Sequence, residues 1–185
     1  MKNNLLPLFA AIFIAGWLAA PAGDAQVEQF GHGVRIPAGS CVSYSNTPKA
    51  QILSSSGGLL VFNPDGRIDV HCVCQLPVPE KAKIRQVVMV GNVTKGELSA
   101  ELGGVRWNAP RQHLRYATLK MTPNTTYEIP EMKQKKVLAN LPAAGRGSLT
   151  TDRLQTYFIQ ARFTATTALN IEEALELFYF EIYWD

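Results

Sequence analysis

The chain has 185 residues, 46% of them hydrophobic and 18% charged, with a formal charge of +3. That is enough for a sizeable core, and too ordinary a composition for a disordered or repetitive chain. The positive charge is mild and no basic cluster is interleaved with aromatic residues, which argues against a nucleic-acid partner.

The chain opens with Lys2, an uncharged run from Leu5 to Ala20, and then Pro21-Ala22-Gly23-Asp24-Ala25. A basic start, an apolar middle and small residues at a boundary make an export signal. The run is shorter than the roughly 20 residues a spanning helix needs, so residues 1–25 read as a cleaved signal peptide, with an uncleaved anchor as the competing reading. Cleavage after Ala22 or after Ala25 fits the small-x-small pattern. No later segment is long and uncharged enough to span, so no stable membrane span is expected after cleavage. Residues 26–185 are then expected to form a single secreted or periplasmic domain.

Within that domain the period is two. Asn63-Pro64-Asp65-Gly66 separates Leu59–Phe62 from Arg67–Leu76 and reads as a hairpin turn, with Asp65 capping and Gly66 left-handed. On the outgoing strand Ile68, Val70, Cys72, Cys74 and Leu76 share one face, against Arg67, Asp69, His71 and Gln75. A second pair follows, Ile84–Val93 and Glu97–Trp107, joined at Lys95-Gly96. Ile84–Val90 is apolar on both faces, which suits the centre of a sandwich better than the strict alternation of a membrane barrel.

Leu114–Met121, Thr126–Ile129 and Val137–Leu141 are weaker strand candidates between prolines. The densest basic run, Lys133-Gln134-Lys135-Lys136, lies between Pro130 and Pro142 and reads as a solvated connection. Tyr157, Ile159, Ala161 and Phe163 alternate with Gln160, Arg162 and Thr164, and Leu175–Trp184 closes the chain, dense in aromatics. Only Asn170–Leu177 has room for a helical turn. Short strands at about ten-residue spacing with Pro/Gly turns predict an all-β, antiparallel β-sandwich.

Leu76-Pro77, then Ala82-Lys83-Ile84, a hydrophobic strand, a turn and a strand closing on Leu102 resemble a segment of uncharacterised secreted bacterial β-sandwich proteins. The resemblance covers 76–107 and 155–184. Lys81 stands where that pattern has glycine, and the spacing from Pro77 is longer. It implies a jelly-roll-like sandwich and carries no catalytic residues.

The three cysteines, Cys41, Cys72 and Cys74, predict one disulfide and one leftover thiol in an exported protein. Cys72 and Cys74 share a strand face about 6.5–7 Å apart, too far for a comfortable direct bridge. Cys41 can meet either; Cys41–Cys72 is slightly favoured over Cys41–Cys74. A metal site is not expected, because alternation turns His71 away from both cysteines. A three-sulfur site without His71 stays open.

No nucleophile elbow, zinc-helix motif or phosphate loop occurs, so no catalytic residue and no cofactor is assigned. The carboxylate pairs Asp65/Asp69 and Glu172-Glu173 read as turn and loop residues. The aromatics Trp107, Tyr116, Tyr179, Tyr183 and Trp184 are the candidate binding surface, since strand alternation leaves some of them outside. Tyr179 and Tyr183 share one face of the last strand, which a second chain or a ligand is expected to cover. Two functions follow. One is an exported, non-enzymatic binding or assembly module for carbohydrate, further copies of itself or another envelope protein. The other is a small secreted hydrolase whose site forms only in three dimensions, for example from His113 and Asp152.

Overall fold

The computed structural model describes residues 31–185 except 56, 143, 146 and 147. The expected signal peptide, 1–25, lies outside the described residues. Alternating apolar residues pair into two antiparallel sheets. The first contains β1 (His32–Pro37), β3 (Gln51–Ser55), β4 (Gly58–Phe62), β6 (Lys83–Asn92), β9 (Tyr127–Ile129), β10 (Gln134–Asn140), β11 (Leu149–Thr150) and β13 (Leu175–Trp184). The second contains β2 (Val42–Ser45), β5 (Ile68–Gln75), β7 (Glu97–Arg106), β8 (Ala109–Met121) and β12 (Gln155–Ala165). The first runs β3-β4-β13-β6-β10-β9, with β1 beside β13 and β11 beside β6; the second runs β2-β5-β12-β7-β8.

The two inner faces form one core. Val70, Cys72, Leu98, Leu102, Ile159 and Phe163 of the second sheet meet Val61, Val87, Met89, Leu175, Phe180 and Ile182 of the first. This is the all-β sandwich that the alternation predicts. β6 lies between β13 and β10, which explains its two apolar faces. Val87 and Met89 enter the core, while Val88 and Val90 are buried on the outer side between flanking strands. The helical turn allowed near Asn170 is a single 3-10 turn, Ile171–Glu173, capped by the Asn170 side chain. Among the described residues, no helix is long and apolar enough to cross a membrane.

The two expected hairpins are corrected. β4 pairs with β3 and β13, whereas β5 pairs with β2 and β12, so Asn63–Gly66 carries the chain from one sheet to the other. Asn63 closes the turn: its Oδ1 accepts from Asp65 N at 3.1 Å and its Nδ2 donates to Arg67 O at 2.9 Å. The Asp65 carboxylate instead pairs with Lys49, and Gly66 does not have a positive φ. β6 and β7 likewise belong to different sheets, joined through Gly96. Gly96 has φ +78°, and a Cβ there would stand 2.4 Å from Thr164 O. Turn residues announce a reversal of direction but not which sheet receives the next strand.

The basic run is corrected as well. Residues 134–136 open β10, and Lys135 is buried, 1% exposed. Its stem takes an inward position, and its ammonium donates to the carbonyls of Val93 (2.5 Å), Thr122 (3.2 Å) and Pro123 (2.9 Å). The same ammonium lies 4.6 Å from the centre of the Tyr127 ring. Three donors thus meet three acceptors, and burial lowers the lysine pKa. The cage links β10 to the turns that follow β6 and β8, and so ties one sheet to the other.

The disulfide joins Cys41 to Cys74 and leaves Cys72 as a buried free thiol, which corrects the slight preference for Cys72. Register decides it. Val42 faces Val73 and Ser43 faces Cys72, so Cys41 falls opposite Cys74, with Cα atoms 4.4 Å apart. That is the spacing of a cross-strand pair without backbone hydrogen bonds.

Two outcomes check these contacts. Lys135→Met keeps the stem but orphans three carbonyls, and should lower unfolding free energy by about 2–4 kcal/mol in urea titrations. Lys135→Arg should not restore it, because a planar fork does not fit a threefold cage. Non-reducing peptide mapping should find Cys41 linked to Cys74. Replacing both by serine should cost about 3–4 kcal/mol for a loop of this length, read by the same titration.

Candidate functional site

The outer face of the second sheet carries an extended array of polar side chains. Its register sets them in rows across five strands. Tyr44 faces His71, His71 faces Arg162, Arg162 faces Ser99, and Ser99 faces Lys120. The next row runs Val42, Val73, Gln160, Glu101, Thr118. At about 4.8 Å between strands, such a row spans roughly 19 Å. A trough of about 520 Å³ lies over these rows, lined by His71, Glu101, His113, Arg115, Gln160 and Arg162 among others.

A bulge completes it. Leu119 and Met121 of β8 point inward, and strict alternation would send Arg115 and His113 inward too. Between the Leu102–Ala117 and Gly103–Arg115 pairs the register shifts by one extra residue, Tyr116. The bulge re-aims the strand, so His113 and Arg115 emerge beside Glu101 on the outer face while Tyr116 turns toward Tyr157. Gly103 makes room for this. A Cβ there would lie 2.6 Å from His113 Nε2, where the imidazole stacks on Phe158 with ring centres 5.3 Å apart.

The charges on this face are paired. Arg162 Nε donates to Asp69 Oδ1 at 2.8 Å, Arg115 Nε to Glu101 Oε2 at 2.5 Å, and Lys120 Nζ to Glu97 Oε2 at 2.5 Å. His113 Nε2 lies 2.8 Å from Glu101 Oε1. His71 Nε2 lies 3.2 Å from Asp69, its Nδ1 3.2 Å from Gln160 Nε2, and its ring stacks almost parallel on Tyr44 at 5.1 Å. The Arg162 hydrogen bond lowers the Asp69 pKa and raises that of Arg162, outweighing the opposing effect of burial. The result is a lattice of oriented donors and acceptors without excess charge.

The five candidate aromatics do not form one surface. Trp107 is 73% exposed on the turn between β7 and β8, and its backbone N–H donates to Leu154 O. Tyr116 is partly buried and its hydroxyl donates to Gln155 Oε1 at 2.9 Å. Trp184 packs against the core. Tyr179 and Tyr183 lie on the outer face of the other sheet, and β1 covers part of them. The Arg35 guanidinium sits 4.1 Å above the Tyr179 ring, and Gly33 passes so close to Tyr183 that a Cβ would be 2.9 Å from that ring. A bulge after Leu177 produces this division, turning Phe180 and Ile182 inward. β13 lies inside its sheet, between β6 and the strands β1 and β4.

His113 and Asp152 do not line the same trough. Asp152 accepts from Leu154 N and Gln155 Nε2, whereas His113 is held against Glu101. Sequence reasoning missed Glu101, Gln160, Arg162 and Tyr44 as a group. Each reads singly as a solvated strand residue, and the signal that joins them is cross-strand register.

The fold is an antiparallel β-sandwich of jelly-roll type. No protein-family model and no curated protein matches the chain. Among solved structures it is similar to TmCBM61 in complex with β-1,4-galactotriose, at 9% identity and TM-score 0.48, over 80% of this chain and 91% of that one. It is similar to the C-terminal CBM6 of LamC, a marine laminarinase from Zobellia galactanivorans, at 10% identity and TM-score 0.47, over 82% and 99%. It is also similar to the xylan-binding module CBM15, at 14% identity and TM-score 0.44, over 83% and 96%. These neighbours are carbohydrate-binding modules of β-sandwich fold at low identity, and no site residue is carried over from them.

The lowered Asp69 carboxyl fixes a pH dependence. Its folded pKa lies below the unfolded value, so the stability it contributes is present above the ordinary carboxylate range and lost as pH falls through the lowered value. Asp69→Asn should flatten the acid side of a plot of melting temperature against pH.

Proposed function

We propose that the protein is an exported, non-enzymatic binding module that takes an uncharged carbohydrate chain across the outer face of its second sheet. The observation that carries this reading is the polar row from Tyr44 through His71, Arg162 and Ser99 to Lys120. Its members present side-chain donors and acceptors at strand spacing. Hydroxyls of an extended chain can exchange water for such groups at little desolvation cost, since arginine–carboxylate pairs keep free donors and lone pairs. Paired charges leave the face without the excess positive potential that would favour a polyanion. The stacked pairs Tyr44–His71 and His113–Phe158 add flat apolar surface at two places, suited to the faces of sugar rings.

Export rests on the apolar N-terminal run, and the Cys41–Cys74 bridge supports it, because such bonds persist in oxidising compartments. Affinity electrophoresis in gels containing uncharged plant and microbial polysaccharides tests the function. At least one polymer should retard the protein, with little change on raising salt. Tyr44→Ala combined with Gln160→Ala should weaken retardation by about tenfold or more, the loss of one stacked ring and one hydrogen-bonding group, at an unchanged near-ultraviolet circular dichroism spectrum. Retardation by no polymer, or equal retardation of the variant, would overturn the proposal.

A further inference from the structure

The molecule brings together more sulfur than its disulfide uses. Cys41, Cys72 and Cys74 hold their Sγ atoms within 4.8 Å of one another. Cys72 and Cys74 lie two apart on β5 and both point into the core, where each is at most 2% exposed. Cys41 reaches them from beside edge strand β2 and is partly exposed. Among the described residues, no histidine or carboxylate joins the group. His71 is held on the opposite face of β5 by Asp69, Gln160 and Tyr44.

We propose that the reduced form of this cluster is a binding site for one Cu(I) ion, ligated by the three cysteine thiolates. The donor set selects the metal. Soft thiolates favour Cu(I), whereas zinc completes a tetrahedron with a fourth protein ligand or a water, and this cluster supplies three sulfurs, two of them in the dry core. A metal–sulfur bond of about 2.3 Å puts three sulfurs in a trigonal plane about 4 Å from one another, within the spacing that the strands impose. Backbone register supplies the arrangement, since the cross-strand position of Cys41 and the two-residue repeat of β5 are fixed by pairing and not by the bridge alone.

The steps balance. A dithiol reductant gives two electrons and two protons to the Cys41–Cys74 bond and becomes a cyclic disulfide itself, leaving three thiols. Cu(I) then forms three Cu–S bonds and displaces three protons, with no change in oxidation state. Thiol–disulfide exchange with a disulfide oxidant, which takes the two electrons and leaves as two thiols, re-forms the Cys41–Cys74 bond, removes two of the three ligands and releases the ion as Cu(I). The site lies on the inner face of β5, so the proposal does not depend on what binds the outer face.

The test uses the protein reduced with a phosphine, freed of it by gel filtration without oxygen, and titrated with Cu(I) held by bicinchoninate. One equivalent should be withdrawn from the chelator, with the near-ultraviolet circular dichroism of the folded chain present in the loaded protein. The oxidised protein should withdraw none. Cys72→Ala keeps the disulfide pair and should bind Cu(I) about tenfold more weakly or worse after reduction. Copper X-ray absorption of the loaded wild type should count three sulfurs. Equal affinity in Cys72→Ala, uptake by the oxidised protein, a two-sulfur shell, or uptake only by a chain that has lost its near-ultraviolet spectrum would each overturn the proposal.

Discussion

A β-strand gives one side chain in two to each of its faces, and the architecture of this protein depends on that count being kept on two inner faces at once. The second sheet keeps it through Val70, Cys72 and Cys74 of β5 and through Ile159, Ala161 and Phe163 of β12. The first keeps it through Val87 and Met89 of β6 and through Phe180 and Ile182 of β13. Apart from the paired β7 and β8, successive long strands are dealt to opposite sheets, so the core is built from residues far apart in sequence. Its disulfide, its lysine cage and its polar face are all set by pairing between strands and not by neighbours along the chain.

Two departures from alternation shape the surfaces. The extra residue at Tyr116 moves His113 and Arg115 outward, and the bulge after Leu177 leaves Tyr179 and Tyr183 outside while Phe180 and Ile182 fill the core. In both strands the inner face stays apolar on either side of the bulge. A single inserted residue therefore changes which chemistry meets water without opening the core.

Charge is handled in two opposite ways. On the outer face of the second sheet, carboxylates and cations answer one another in solvent, where each pair is worth little alone but orients its neighbours. Lys135 instead gives up solvent altogether and replaces it with three carbonyls and an aromatic ring. A buried ammonium survives only where every proton has an acceptor, and here the acceptors are backbone atoms of two turns. The same dry interior holds Cys72 as an inert thiol beside a bridge.

The sequence by itself determined the all-β class, most strand positions, the inward face of β5, the outward turn of His71 and the presence of a disulfide at Cys41. Those properties depend on period-two patterning and on local turn chemistry, which one strand displays without its neighbours. Tertiary structure alone decided which sheet each strand joins, and with it the reading of Asn63–Gly66 and Lys95-Gly96 as crossings between sheets. It also decided the choice of Cys74 over Cys72, the burial of Lys135 in a run that looks solvated, and the separation of the aromatics into different surfaces. The polar row from Tyr44 to Lys120 belongs to the same group, because five strands contribute to it and only β7 and β8 among them follow one another in the chain. Strand register is a relation between segments fixed by the sum of core packing, so a residue's partner across the sheet is not written in its own neighbourhood.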